Sequence, residues 1–520
     1  MLQRNPCTEC YQTIIMGLVG MLSVVFFFSP TDRCTWDPSY YYAQMRCPLL
    51  EHNLDFGDET DPPNPYRTDT GLPPSPWPIG PGILWSPFFL AAHGYQLTIG
   101  DSSQVSGYAP PYIAWVAGGA TLYGLLGVLV IYRICRFFAG KGASLLTALL
   151  VLFATPLFFY VYRQPLMAHS SSVLAAALLV YILLAIYNER IPFYQGGLLI
   201  GTFVGLSVLL RWIGVVLVLL PVVFWLARAG EALAKREYSL LRAVAVQVGI
   251  AAGAAQLVFL PQMALWYRVH QAWMIMPNQG FSENLFPVHL FDLFIHTNRG
   301  LLFWSPFILV GMAGLFLVRP LRFRVASLLF LGAYLAILGS WEIWYGGGGF
   351  GPRYFIEVLP LAAAGFARLI TRFWHGFWPW RGIWRVVLGA IAVLLVAHQL
   401  VLVTIIEQGQ GWIPSKPYEE GAPIGLDYQQ TAIKRIIQNP GDLLLPRPYV
   451  QTDRQSMIIN LLAGQRDCLA YRIPLIAVVL VGAGLFFYRH IERARLLPIV
   501  CTLIIVFMAV WFWFLLFIVE

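Results

Sequence analysis

Charge is scarce in this chain: Asp, Glu, Lys and Arg make up 12% of its 520 residues, against about 25% in a soluble domain. Hydrophobic residues make up 58%. Together these values exclude a disordered chain, a coiled coil and an ordinary cytosolic globule. A length that would otherwise hold several soluble domains reads instead as one membrane body with loop insertions. Cysteine is also sparse, with seven scattered residues. Cys7 and Cys10 form a lone CxxC without a second pair or nearby histidines, which is no basis for a metal scaffold. Cys34, Cys47 and Cys468 fall in loops assigned below to the outer side, where one disulfide among them is chemically allowed but no pairing follows. No soluble repeat appears, and no low-complexity tract beyond Gly346–Gly349. No small-residue cleavage site follows the first apolar run, so 11–30 is expected to stay as a membrane helix.

Long apolar runs are what the chain has in abundance. A membrane helix needs about 20 apolar residues. By that measure about thirteen candidates appear, at 11–30, 112–134, 144–162, 171–187, 196–210, 213–227, 244–266, 301–318, 325–340, 355–370, 386–406, 474–488 and 497–518. The expected fold class is therefore all-α and polytopic. Residues 1–406 form a transmembrane body that includes a first outer loop at 31–111, 407–473 an outer loop or small cap, and 474–520 the last helices.

With the N-terminus on the cytoplasmic side, 19 of the 34 basic residues but 5 of the 26 acidic ones fall on inner segments. Arg133, Arg136 and Lys141 are among them, as are Arg319, Arg322 and Arg324. Each inner loop is short, where the positive-inside rule works best. Topology thus accounts for the net charge of +8, and no nucleic-acid recognition motif accompanies it. The long loops, 31–111, 267–300 and 407–473, all fall outside. The first carries nine acidic residues against three basic, so carboxylate chemistry is expected there. A transporter would place ionisable groups at mid-bilayer instead, and the spans hold few.

Trp36-Asp37-Pro38-Ser39-Tyr40-Tyr41-Tyr42-Ala43-Gln44 lies just past the first span. Asp before Pro is a common helix start, and the tyrosines suit headgroup level. The alternative role of Asp37 is a general base beside a lipid-borne substrate. After it, Pro73 to Leu90 reads as a rigid proline loop leading into an apolar segment on the outer leaflet, too short to span.

Two breaks in apolar sequence are informative. The stretch 196–227 would be about 48 Å long as one helix, too long for a bilayer core of about 30 Å. It must break at Arg211-Trp212. An arginine there calls for an anion, a carboxylate or a lipid phosphate, unless it snorkels. Similarly, 325–340 and 355–370 flank Trp341 to Tyr354. Glycines 346–349 allow close backbone approach to a ligand, Arg353 offers a fork suited to phosphate, and Tyr345 and Tyr354 supply a substrate-lining wall. Arg163 and His169 sit before and at the start of span 171–187, where a helix N-terminus favours anions, and Asn298-Arg299-Gly300 precedes 301–318 in the same way. Asp55, Asp58, Glu59 and Asp61 in one loop, and His270, His289 and His296 in another, are donors for a divalent ion without a fixed ligand spacing.

The order of a first helix, Asp37 before Tyr-Tyr-x-Ala-Gln, then LLEHNLDF, WPIGPGILWSPFFL, NRGLLFWSPF and GGGGFGPRYFIEVLP resembles the bacterial GT-C glycosyltransferases related to protein O-mannosyltransferases and the lipid A aminoarabinose transferase. The resemblance covers most of 1–370 and fades beyond. It implies an inverting membrane transferase of the bacterial inner membrane that takes a sugar from a polyprenyl-phosphate donor. The acceptor would be a glycan, lipid or protein hydroxyl on the periplasmic face. It further implies that Asp37 is the catalytic carboxylate and that Arg353 and Arg211 bind donor phosphate. On the residues alone, His169, Arg163 and Arg299 are further candidates for phosphate, His169 having a structural role as its alternative, and Tyr41 is a candidate for lining the substrate. Many relatives carry an acidic pair where this chain has Asp37 alone, and some carry an acid where it has His169. A divalent metal is the one cofactor left open. The competing expectations are a polymerase or ligase of lipid-linked glycans and a lipid-glycan flippase.

Overall fold

The computed structural model describes residues 15–28 in part, 36–98, 105–276, 287–376, 381–407 and 497–517, apart from isolated positions. Among them every regular element is helical. Among the described residues nine helices are long and apolar enough to cross a membrane: Pro110–Cys135, His169–Tyr187, Phe193–Leu210, Trp212–Ala234, Tyr238–His270, Leu321–Gly339, Arg353–Phe373, Val386–Val403 and Val500–Phe517. Shorter apolar helices, Lys141–Phe153, Pro306–Leu317 and one within 15–24, occupy three more of the expected spans. The remaining expected span, 474–488, and the loop 408–433 lie outside the described residues, as do Cys7, Cys10, Cys34 and Cys468.

The chain divides into two units. One draws on 1–29, 128–163 and 280–466, the other on 30–127, 164–279 and 467–520.

In the second unit, Phe193–Leu210 packs against Tyr238–His270 through glycines spaced four residues apart. A side chain on Gly197 would come within 2.8 Å of the Gln247 carbonyl, one on Gly205 within 2.7 Å of the Ala255 carbonyl, and one on Gly201 would strike the Ala251 carbonyl. Small residues at this spacing let two backbones approach, which is how apolar helices associate where lipid removes the hydrophobic drive. The Leu497–Phe517 helix also lies against Tyr238–His270, and Arg268 donates to the Leu516 carbonyl at 3.2 Å. The helix at 193–210 ends where the length argument requires. Arg211 is extended (φ −155°, ψ 132°), and the chain restarts as a 3-10 turn, Trp212–Val218, before Leu219–Ala234. The segment after the proline loop forms a longer helix than its apolar content announced, Gly80–Thr98, with Pro87 inside it. It is not among the nine spanning helices.

In the first unit, Pro306–Gly314 crosses Leu359–Gly376 in the same close manner, with Gly311 against Ala362 and Gly314 against Gly365. Prolines set the breaks. The expected span 144–162 divides into Lys141–Phe153 and Leu157–Tyr162 on either side of Pro156, where Thr155 donates to the Val151 carbonyl at 2.6 Å and accepts from the Leu157 N–H at 3.2 Å. Ser305, in front of Pro306, is driven out of helical geometry (φ −155°, ψ 65°), as expected for the residue before a proline.

Candidate active site

In the second unit, Asp37 is the first residue of helix Asp37–Arg46. It does not cap that helix: Trp36 holds the capping position at φ 57° and makes no side-chain cap bond. A non-glycine residue in this backbone region costs about 1–3 kcal/mol unless its surroundings hold it. Here they do, because the Trp36 N–H donates to the Asp61 carbonyl at 2.6 Å, Ser39 Oγ donates to the Trp36 carbonyl at 2.6 Å, and the Asp61 N–H donates to Ser39 Oγ at 3.0 Å. A carboxylate in the first turn is favoured by the helix dipole. Asp37 is half-buried and Tyr41, one turn on, is buried against Trp77 and Trp85 with ring centroids 6.2 and 6.0 Å away. The proline loop is pinned from beneath: Trp212 Nε1 donates to the Pro76 carbonyl at 3.0 Å, and the Ile79 N–H donates to Gln262 Oε1 at 2.9 Å. Arg211 and His169 belong to this unit and are both buried, Arg211 at the helix break and His169 as the first residue of His169–Tyr187, followed by the buried Ser170, Ser171 and Ser172.

In the first unit, Arg299, Tyr345, Arg353 and Tyr354 gather around one glycine turn. Gly346 and Gly347 have φ of 82° and 59°, a conformation open to glycine. Arg353 folds back over this turn: a side chain on Gly349 would lie 2.8 Å from its Cδ and 2.9 Å from its Nε. Arg299 ties the turn from below, its Nε donating to the Tyr345 carbonyl and its Nη2 to the Gly347 carbonyl, each at 3.2 Å. Both guanidinium-bearing residues are enclosed, Arg299 at 2% and Arg353 at 8% exposure. Arg299 lies over the Trp304 ring at 5.3 Å and Arg353 over Tyr354 at 5.6 Å. Gly351 packs against Pro156 and Trp304, while Tyr160 Oη donates to the Phe350 carbonyl at 3.0 Å and Phe159 stacks on Phe350 at 4.6 Å. Arg163, also buried, ends that same short helix.

No family model matches the chain, and no curated protein does. Among solved structures it is similar to ArnT from Cupriavidus metallidurans bound to undecaprenyl phosphate, with 14% identity and a TM-score of 0.47 over 97% of this chain and 78% of that one. It is also similar to the archaeal oligosaccharyltransferase AglB from Archaeoglobus fulgidus in complex with an inhibitory peptide and a dolichol-phosphate, with 14% identity and a TM-score of 0.43 over 86% of this chain and 60% of that one. Likeness at this level assigns no activity.

Sequence reasoning passed over Glu357, which sits inside an apolar run. Tyr334 Oη donates to the Tyr354 carbonyl at 2.5 Å and to Glu357 Oε2 at 3.3 Å, so this buried carboxylate helps to fix the Arg353–Tyr354 backbone. A carboxylate within a span is itself the signal that would have found it.

The acidic first loop is less open to a cation than its composition announced. Asp55 and Asp58 lie 3.5 and 4.0 Å from Arg67. Among the described residues one group of three donors comes close enough to share an ion: Cys47, Glu51 and Glu59, within 4.8 Å of one another. Two of the three donors are also engaged by the protein itself. Arg46 Nη1 is 2.8 Å from Glu51 and ion-pairs with Glu59, while Tyr108 Oη donates to Glu59 at 2.5 Å. Burial, with Glu59 beside it, pushes the Cys47 thiol well above the usual thiol range. Burial favours neutral Arg46, but Glu59 and Glu51 outweigh it and hold the guanidinium charged. One guanidinium thus faces two carboxylates, and the group keeps a net negative charge. His289 Nδ1 lies 3.0 Å from Asp292 and the His289 ring stacks on Trp344 at 5.8 Å.

Proposed function

We propose that this chain is an integral membrane glycosyltransferase of the GT-C kind, moving a sugar from a polyprenyl-phosphate donor to an acceptor hydroxyl on the outer face of the membrane, with inversion. The observation that carries the reading is the glycine turn at 346–351, which holds two enclosed guanidinium groups, Arg299 and Arg353, where two apolar spans meet. Charged donors of this type, held out of water, are the natural partners of a phosphate head that cannot leave the bilayer surface.

In this reading Arg353 and Arg299 bind the donor phosphate, Arg211, Arg163 and His169 are further candidate cationic or N–H donors to it, and Tyr345, Tyr354 and Tyr41 are candidate substrate-lining residues. Asp37 accepts the proton of the acceptor hydroxyl. The acceptor oxygen attacks the anomeric carbon from the face opposite the phosphate. The bond between that carbon and the phosphate oxygen breaks, and its electron pair leaves on the polyprenyl phosphate. Arginines placed where this charge develops supply electrostatic stabilisation, which is usually the largest catalytic term. None of these roles draws on the Cys47, Glu51 and Glu59 group. The acceptor is a glycan, a lipid or a protein, and the membrane is the bacterial inner membrane with the N-terminus inside.

The test separates binding from turnover. Asp37→Asn should abolish transfer while leaving polyprenyl-phosphate binding and thermal stability as they were, and Arg353→Ala should weaken that binding. Full activity of the first variant together with unchanged affinity of the second would overturn the reading.

A further inference from the structure

On helix Asp37–Arg46 the residues Asp37, Tyr41 and Gln44 stand at i, i+4 and i+7, one face of a helix. Burial deepens along that face, from half-buried Asp37 to Tyr41 at 3% and Gln44 at 1% exposure. Gly82 lets the facing helix, Gly80–Thr98, come close, since a side chain there would lie 2.8 Å from the Tyr41 carbonyl. Trp85, one turn further on, packs its ring against Tyr41. The loop supplies the third wall. Gln44 Nε2 donates to Ser75 Oγ and, at 3.4 Å, to the Trp77 carbonyl, and Ser75 Oγ itself donates to that carbonyl at 3.0 Å.

Two polar atoms of this enclosure have no hydrogen-bond partner: the acceptor Gln44 Oε1 and the donor Trp85 Nε1, the latter on a fully buried side chain. A buried polar atom left unmet is costly, and such atoms in native structures call for an explanation. By contrast, the unmet amide of Gln399 lies inside the apolar helix Val386–Val403. Here an acceptor and a donor accompany three aromatic rings, those of Tyr41, Trp77 and Trp85, beside the helix that begins with Asp37.

We propose that Gln44 Oε1 and Trp85 Nε1 are the hydroxyl-reading groups of a monosaccharide subsite whose walls are Tyr41, Trp77 and Trp85. A pyranose or furanose ring offers what this enclosure lacks. Each hydroxyl donates to one group and accepts from another, and the ring's C–H face lies against aromatic carbon. The inference rests on the glycosyl-transfer reading and deepens it: these residues set which sugar is taken, while Asp37 acts on the acceptor.

The experiment compares the affinity of the full-length protein, in detergent or nanodiscs, for undecaprenyl phosphate and for undecaprenyl phosphate bearing a hexose, a pentose or an aminosugar. At least one sugar should tighten binding relative to the bare lipid. Gln44→Met should reduce that sugar-dependent gain by about tenfold, the worth of a lost buried hydrogen bond, and Trp85→Phe should reduce it as well. Both variants should bind the bare lipid as the native protein does, a pattern that general loosening of the loop would not give. A sugar-dependent gain that survives both substitutions overturns the subsite and leaves the transferase reading intact. Failure to bind either lipid overturns both.

Discussion

The grip of the glycine turn on Arg353 can be perturbed without touching the arginine. A methyl group added at Gly349 would sit 2.8 Å from Arg353 Cδ and 2.9 Å from Nε, whereas ordinary contact begins near 3.4 Å. The arginine stem, rather than the backbone, is what yields, so Gly349→Ala should displace the guanidinium by roughly 0.5 Å or more while leaving the fold in place. A misplacement of about 1 Å in a positioned catalytic group costs up to about 100-fold. The expected loss in kcat/KM is therefore about 10- to 100-fold, or about 1.4–2.7 kcal/mol of transition-state stabilisation. Gly348 gives the matched control: a methyl group there meets nothing within 4 Å, so Gly348→Ala should keep near-native rates. The assay is transfer of a labelled sugar from a polyprenyl-phosphate donor by each purified variant. Equal activity of Gly349→Ala and Gly348→Ala would refute the idea that the turn positions Arg353.

The remaining predictions concern the same two units. Arg353→Lys should not restore donor affinity, because an ammonium cannot reproduce a bidentate fork; equilibrium binding of undecaprenyl phosphate reads this, and native affinity in the lysine variant would contradict it. Gly201→Val should lower the thermal midpoint through about 1–3 kcal/mol of overpacking against the Ala251 backbone, while Gly253→Val, where nothing lies within 4 Å, should change it much less. Cys47 is a buried free thiol whose pKa is pushed up by burial and by Glu59. A raised thiol pKa means less thiolate at a given pH, so Cys47 should resist maleimide at pH 8 in the native protein and react after unfolding in SDS.

Much of the fold was legible because bilayer physics leaves few options. The spans came from apolar runs alone, and the break at Arg211 followed from arithmetic on helix length. Breaks at Pro156 and Ser305-Pro306 were carried by prolines inside runs that had been read as single spans, so continuous hydropathy masked them. The gathering of Arg299, Tyr345, Arg353 and Tyr354 was half legible: the glycines and Arg353 adjoin in sequence, but the Arg299 bonds to the turn cross 46 and 48 residues, a distance that pattern cannot bridge. The acidic first loop was half legible: composition advertised cation ligands and three donors do come together at Cys47, Glu51 and Glu59, but four of the loop's carboxylates also pair with Arg46 and Arg67, which composition could not show. Gln44 and Trp85 lie inside motifs that carry the resemblance, but showed no sign of a role of their own, since an amide and an indole become informative only when their surroundings leave them unmet.

The account's central claim is that a carboxylate at position 37 drives in-line displacement at an anomeric carbon. The most direct measurement is NMR of the glycoside formed from a polyprenyl-phosphate sugar of known anomeric configuration, with native protein and with Asp37→Asn in parallel. The account predicts a product of opposite configuration and equimolar polyprenyl phosphate from the native protein, and neither from the variant. A product of unchanged configuration, or undiminished turnover by Asp37→Asn, would contradict it.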